Sequence, residues 1–231
     1  MLVRVPAWSA SLGPGFDSLG MALTLHAEVG LGPAPDDVEG ARSADETHPA
    51  TVAFRRHGGT GELWVRSPIP SGRGMGFSGA VRVGGLLAAH AQRHGADPDA
   101  LAAALPELLE LATALEGHAD NVAASLLGGV VATAGGLAVR VPMPFDPTMV
   151  MWVPDFETST DRSRAALPTS VPMSDVVFNV GHTALLVAAL AAGDISSLRE
   201  ATRDRLHQEV RFAIAVPSRA AHLRALELGA W

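Results

Sequence analysis

Pro70-Ser-Gly-Arg-Gly-Met-Gly-Phe-Ser-Gly-Ala80 is the stretch on which the fold turns. Before it, residues 63–69 alternate apolar and polar positions as a strand does. After it, small residues continue to about residue 94 with the spacing of a helix. The unit is strand, glycine loop, helix. Gly72, Gly74, Gly76 and Gly79 surround Ser78 where the helix opens, so backbone N–H groups and the positive end of the helix converge there. That geometry suits a phosphate chain, although a flexible glycine-rich turn has the same composition. No Gly-Lys-Ser/Thr closes the loop as in a Walker motif, and the spacing of a dinucleotide fingerprint is absent. Gly76-Phe-Ser78-Gly-Ala80 has the outline of a hydrolase nucleophile elbow, with Ser78 as nucleophile. An elbow needs its strand to run straight into the Ser, and here Pro70 and three glycines intervene.

Outward from the loop, residues 2–6 and 19–29 read as strands joined by a Ser- and Gly-rich loop over 9–16. Residues 31–50 hold Pro, Asp, Glu, Gly and Ser and read as a surface connection or a poorly ordered insert. Asp97 is placed to cap a helix with Pro98 at its first position, and Pro106 is expected to restart that helix, which runs to 115. A further helix over 121–127 closes at Gly128-Gly129, and 130–141 and 149–153 read as strands. Residues 175–192, 195–207 and 218–228 are helical in pattern. Strands and helices alternate without a repeating βαβ period, so the class expected is α+β, with a division near residue 145 into segments 1–145 and 146–231.

The chain has 231 residues and 48% hydrophobic content, enough for a real core. Its formal charge of −7, with no basic block, argues against a nucleic-acid partner. Cysteine is absent, which excludes a disulfide framework and a thiol nucleophile. The first residues lack the pattern of a secretion signal, and the strongly apolar run 184–192 is about half of what a membrane crossing needs. The expectation is a cytoplasmic protein with no membrane partner. His90 and His94 share a helix face at metal-ligand spacing, yet Ala91 stands where a metalloprotease motif has Glu, which favours a solvated or capping pair.

Three segments, in order, resemble homoserine kinases of the GHMP superfamily. They are Val5-Pro-Ala-Trp-Ser-Ala-Ser-Leu-Gly-Pro-Gly-Phe-Asp-Ser-Leu-Gly20, the loop from Pro70 to Ala80, and Glu116-Gly-His-Ala-Asp-Asn-Val-Ala-Ala-Ser-Leu-Leu-Gly-Gly129. Weaker similarity continues through Ser159-Thr-Asp-Arg-Ser-Arg-Ala-Ala-Leu-Pro168 and Asp204-Arg-Leu-His-Gln-Glu-Val-Arg211. The resemblance implies an ATP-binding domain of the ribosomal-protein S5 domain 2 type over 1–145, then an incomplete ferredoxin-like domain over 146–231. It implies ATP and Mg²⁺ as cofactors, L-homoserine as acceptor, and leaves room for a homodimer.

By that resemblance Pro70, Gly72, Arg73, Gly74, Met75, Gly76, Phe77, Ser78, Gly79 and Ala80 would bind the nucleotide. Ser78 and Glu116 would hold the metal, with Glu110 as the alternative carboxylate. Arg164 and Arg211 match positions that clamp a carboxylate, where a planar guanidinium grips two oxygens. Asp17, His118, Asp120 and Thr160 match positions lining the amino and hydroxyl end. Simple alternatives exist for each: a helix cap at Ser78, a solvated charge at Glu116, surface charges or loop hydrogen bonds elsewhere. The chain departs from the family at Ser11, where Asn is usual, and at Phe77, where the loop normally has a serine. The stretch 30–62 is shorter than its counterpart, and the third glycine-rich motif would begin at Trp231. A kinase for another small alcohol, such as an isoprenoid precursor, and a homologue that binds without turnover are the other readings.

Overall fold

A computed structural model describes residues 1–154 and 160–231, the second segment with side chains from Ser163 onward. The chain opens with an antiparallel pair, β1 (Leu2–Ala10) and β2 (Leu19–Leu31). β1 runs past residue 6 to Ala10 because a bulge between Pro6 and Trp8 absorbs the proline, which has no N–H to give the ladder. The connection expected over 31–50 carries a short strand, β3 (Arg42–Ala44), and leads into α1 (Pro49–Arg56), whose first turn is capped by the His48 ring. β4 (Leu63–Arg66) then delivers the chain to the glycine loop.

Three helices follow: α2 (Phe77–His94), α3 (Pro98–Glu116) and α4 (Ala119–Leu127). Asp97 caps α3 as expected, accepting from the N–H groups of Asp99 and Ala100. Pro106 does not restart the helix; α3 passes through it, and the Ala102 carbonyl that the proline cannot satisfy lies on an exposed face. The expected strand 130–141 is a hairpin of β5 (Val130–Ala134) and β6 (Leu137–Val141), turned at Gly135-Gly136.

β2 is the spine of the sheet. β1 lies along one edge, while β4 and β5 pair with its end and its start on the other. The order is β3-β4-β2-β5-β6, every pair antiparallel. The second part is helical: α5 (Thr160–Ala165), α6 (Met173–Ala192), α7 (Ile195–Ala201), α8 (Gln208–Ile214) and α9 (Val216–Glu227). The strand expected over 149–153 does not form. Val150 and Trp152 stand 89% and 54% exposed, and although Met151 packs against the larger apolar cluster, the run pairs with no strand among the described residues. The fold is α+β, and the described residues of 146–231 contribute no strand to it.

Two apolar clusters lie on opposite faces of the sheet, as the adjacent residues Val130 and Val131 show by entering one each. The larger joins Val5, Val29, Phe54, Leu86, Leu108 and Val122, all fully buried. The smaller docks Leu186, Leu190 and Leu198 onto Leu19 and Val141, each such leucine contributing about 1.5–3 kcal/mol by burial. α6 is long and apolar enough to cross a membrane, longer than the run read from sequence. Its Leu186, Ala189 and Leu190 are packed in this second cluster.

Candidate active site

The loop after β1, the glycine loop with the start of α2, the end of α3, and helices α5 and α8 enclose one cleft of about 470 Å³. Gly72, Gly74 and Gly76 have φ of 70°, 73° and 76°. Gly76 is the N-cap of α2 and offers no side chain, so the first-turn N–H groups are left open to the cleft. Glycine is required there twice over: the backbone is left-handed, and a Cβ would stand 2.3 Å from the Trp8 indole. Pro70, Gly72, Gly74, Met75, Gly76, Phe77 and Ser78 all line the cleft. Arg73 turns away to donate to the Pro154 carbonyl at 2.8 Å, and Ala80 is buried in the core.

Ser78 donates to Glu116 Oε2 at 3.2 Å, which brings together residues 38 apart in sequence. Glu116 closes α3, where Gly117 in the left-handed region lets the chain turn. Glu110, the alternative carboxylate, lies on an exposed face of that helix. Sequence reasoning missed Arg82. One helical turn after Ser78, it donates from Nη1 to both Ser78 Oγ and Glu116 Oε2. The donor set is right for a hard cation, a hydroxyl and a carboxylate oxygen at a separation suited to shared ligation, but the guanidinium lies between them. A divalent ion does not fit there as these side chains stand.

On the opposite side, Arg164 donates from Nη1 and Nη2 to the two Asp17 carboxylate oxygens, at 2.9 and 2.5 Å. Asp17 adopts φ 54°, and its N–H donates to Ser11 Oγ at 3.3 Å, so the serine in place of the family's asparagine closes this loop. Burial resists ionisation of Asp17. The Arg164 hydrogen bonds, with the charges of Arg164, His118 and Arg211, outweigh it and hold the carboxyl below its usual range. Arg164 and Arg211 both stack over Phe16, with guanidinium carbons 5.4 and 5.2 Å from its centroid. Burial, then repulsion from Arg164, lowers the pKa of Arg211.

Asp120 is fully buried in α4, and its carboxylate oxygens lack a well-formed hydrogen bond among the described residues, the Ser11 N–H being a weak contact. Burial first, and the Asp17 charge second, push its pKa up against the opposing influence of His118, the Ser11 N–H and Arg164. His118 is the N-cap residue of α4. Arg164 and Arg211 line the cleft, whereas Asp17, His118 and Asp120 are not among its lining residues. Thr160 opens α5, and its side chain lies outside the described residues.

The 204–211 segment does a second job that sequence reasoning did not reveal. Asp204 accepts from the N–H groups of His207 and Gln208 and from Asn179, while His207 Nε2 meets the Gly13 carbonyl at 2.8 Å and Asn179 donates to the Pro14 carbonyl. These buried contacts fix the loop that carries Phe16 and Asp17. The alternatives lose ground. Ser78 has no histidine partner among the described residues, as a hydrolase would need. The His90 and His94 rings stand 4.7 Å apart, but no group of three metal-ligating side chains exists among the described residues.

Comparison with known proteins shows the family. The model of the GHMP kinases N terminal domain matches residues 46–129. A homoserine kinase of Gloeobacter violaceus is 42% identical over 253 positions, spanning 100% of this chain and 82% of its own length. One from Carboxydothermus hydrogenoformans is 40% identical, spanning 90% of this chain and 73% of its own. The crystal structure of homoserine kinase from Cytophaga hutchinsonii superposes with a TM-score of 0.71 at 24% identity, covering 92% of this chain and 74% of that one. The chain therefore belongs to the homoserine kinase family of the GHMP kinases.

Proposed function

We propose that this chain transfers the γ-phosphoryl group of ATP to the side-chain hydroxyl of L-homoserine, the phosphorylation that leads toward threonine. The observation that carries the reading is the cleft's division of labour. Ser78 and Glu116, which Arg82 bridges, line the same cleft as the open start of α2 and the Arg164 and Arg211 guanidiniums. Residues 1–145 would carry the nucleotide, and 146–231 would close the acceptor side. A soluble cytoplasmic enzyme fits this reading.

The acceptor is a zwitterion, and the Asp17–Arg164 pair is its negative image. A substrate carboxylate can take Arg164 and Arg211, and its ammonium can take Asp17 and Asp120, so the incoming ion pair replaces the internal one. With the acceptor so held, its hydroxyl oxygen attacks the γ-phosphorus in line, the bond to the β–γ bridging oxygen breaks, ADP leaves, and the hydroxyl proton is released. The chain contributes position and positive charge. The first-turn N–H groups of α2 would face the phosphates, where charge builds up, with the Arg82 guanidinium bonded to the lining residues Ser78 and Glu116. No divalent ion is assigned to Ser78 and Glu116, because Arg82 fills the space between them.

A second reading, binding with little turnover, is favoured by Phe77, which lines the cleft where the loop's first serine stands in the family resemblance. ADP release measured with L-homoserine, with mevalonate and with no acceptor separates the readings. Release stimulated by homoserine alone supports the proposal. Release with mevalonate but not homoserine overturns the substrate, and no stimulated release supports the second reading.

A further inference from the structure

We propose that Arg82 is a tethered cation that takes the place of a protein-bound divalent ion between Ser78 and Glu116, so that the nucleotide's phosphates meet a guanidinium at this point. The inference deepens the kinase reading, on which its nucleotide half rests. Its metal half does not depend on that reading.

Five observations converge. Ser78 and Arg82 are one turn apart on α2, so their side chains project from the same face of the helix. Arg82 Nη1 donates to both oxygens that a metal would need, Ser78 Oγ and Glu116 Oε2. The side chains of Arg82 and Glu116 are only 24% and 12% exposed, so the pair is weakly screened and the carboxylate needs a resident counter-charge. That need is sharpened because Glu116 ends α3, where the helix dipole is negative and no basic residue occupies the last turn. Arg82 Nε, finally, is buried without a hydrogen-bond partner among the described residues. An arginine tolerates such a cost only where its guanidinium is held by something stronger.

A guanidinium and a divalent ion differ in what they do to a phosphate chain. The first donates hydrogen bonds and carries one charge; the second binds oxygens directly and carries two. With Arg82 in place, Glu116 has no reason to recruit a metal. Divalent ions would then reach the site only on the nucleotide itself.

The test uses Mn²⁺ alone, without nucleotide, followed by electron paramagnetic resonance of the free ion. Wild type is expected to leave Mn²⁺ free. Arg82→Met, which keeps the side chain's length but not its charge, should bind one equivalent at least about tenfold more tightly. Arg82→Lys should behave as wild type, and adding Glu116→Gln to Arg82→Met should abolish the gained site. Equal Mn²⁺ binding by wild type and Arg82→Met, or none by either folded protein, overturns the proposal. A non-hydrolysable ATP analogue, titrated into wild type with Mg²⁺ or with EDTA, provides a measurement that needs no variant. Affinities within about threefold are expected, and a loss beyond about thirtyfold in EDTA that Glu116→Gln reproduces overturns the proposal. Failure of the analogue to bind under either condition counts against the kinase reading instead, and leaves the Mn²⁺ result to decide the role of Arg82.

Discussion

Arg164 grips Asp17 through two parallel hydrogen bonds, at 2.9 and 2.5 Å, across 147 residues of sequence. The pair ties α5 to the loop between β1 and β2, and it holds in one place the two charges that a zwitterionic acceptor would exchange for its own. With both side chains about a quarter to a third exposed, the coupling is discounted for solvent to about 1–2 kcal/mol. A double-mutant cycle on Asp17→Asn and Arg164→Met, read by urea unfolding, should return that value. A coupling near zero would show that the pair is incidental.

Asp120 makes the opposite prediction for stability and for binding. Its carboxylate is buried without a well-formed hydrogen bond, and burial, then the Asp17 charge, raises its pKa above the ordinary 3.8. A raised carboxyl pKa favours folding while the group is protonated, and that contribution is lost as pH climbs from the unfolded value through the folded one. Asp120→Asn should therefore be more stable than wild type at pH 7, by about 1–3 kcal/mol, with the gain vanishing toward pH 3. Homoserine binding should weaken in the same variant. Loss of stability at pH 7 would contradict the assignment.

Asp17 runs the other way. Because its pKa is lowered, its stabilising contribution is complete above 3.8 and disappears as pH falls below that value. Acid unfolding of Asp17→Asn compared with wild type should converge at low pH, and the two curves should separate above about pH 4.

Arg211 is half-buried over Phe16 and lines the cleft. Arg211→Ala should cost about 2–4 kcal/mol in kcat/KM for homoserine, and Arg211→Lys should recover only part of it, since an ammonium cannot grip two oxygens in one plane. An unchanged kcat/KM would remove it from the acceptor site.

Much of this was legible in the sequence, for reasons that can be named. The strand, glycine loop and helix around Ser78 follow from local chemistry: Gly76 must be left-handed, and the helix must begin after it. The Asp97 cap and the Gly128 stop are equally local. Arg82 was hidden because its meaning depends on Glu116, at the end of another helix, arriving beside Ser78. β3 is three residues long and exists only because β4 offers an edge, and 149–153 lacks any such edge. Asn179 and His207 both fall in runs that read as helical from the sequence. Only the fold shows them fastening the Gly13-Pro14 backbone.

Phosphorus NMR of a mixture of this chain, ATP and L-homoserine tests the central claim most directly. The account predicts that the γ-phosphate resonance declines as ADP and a phosphomonoester resonance grow in equal amounts, with mass spectrometry placing the phosphate on homoserine and no such product when homoserine is omitted. ATP loss yielding only inorganic phosphate, or a phosphomonoester formed from mevalonate and not from homoserine, would contradict it.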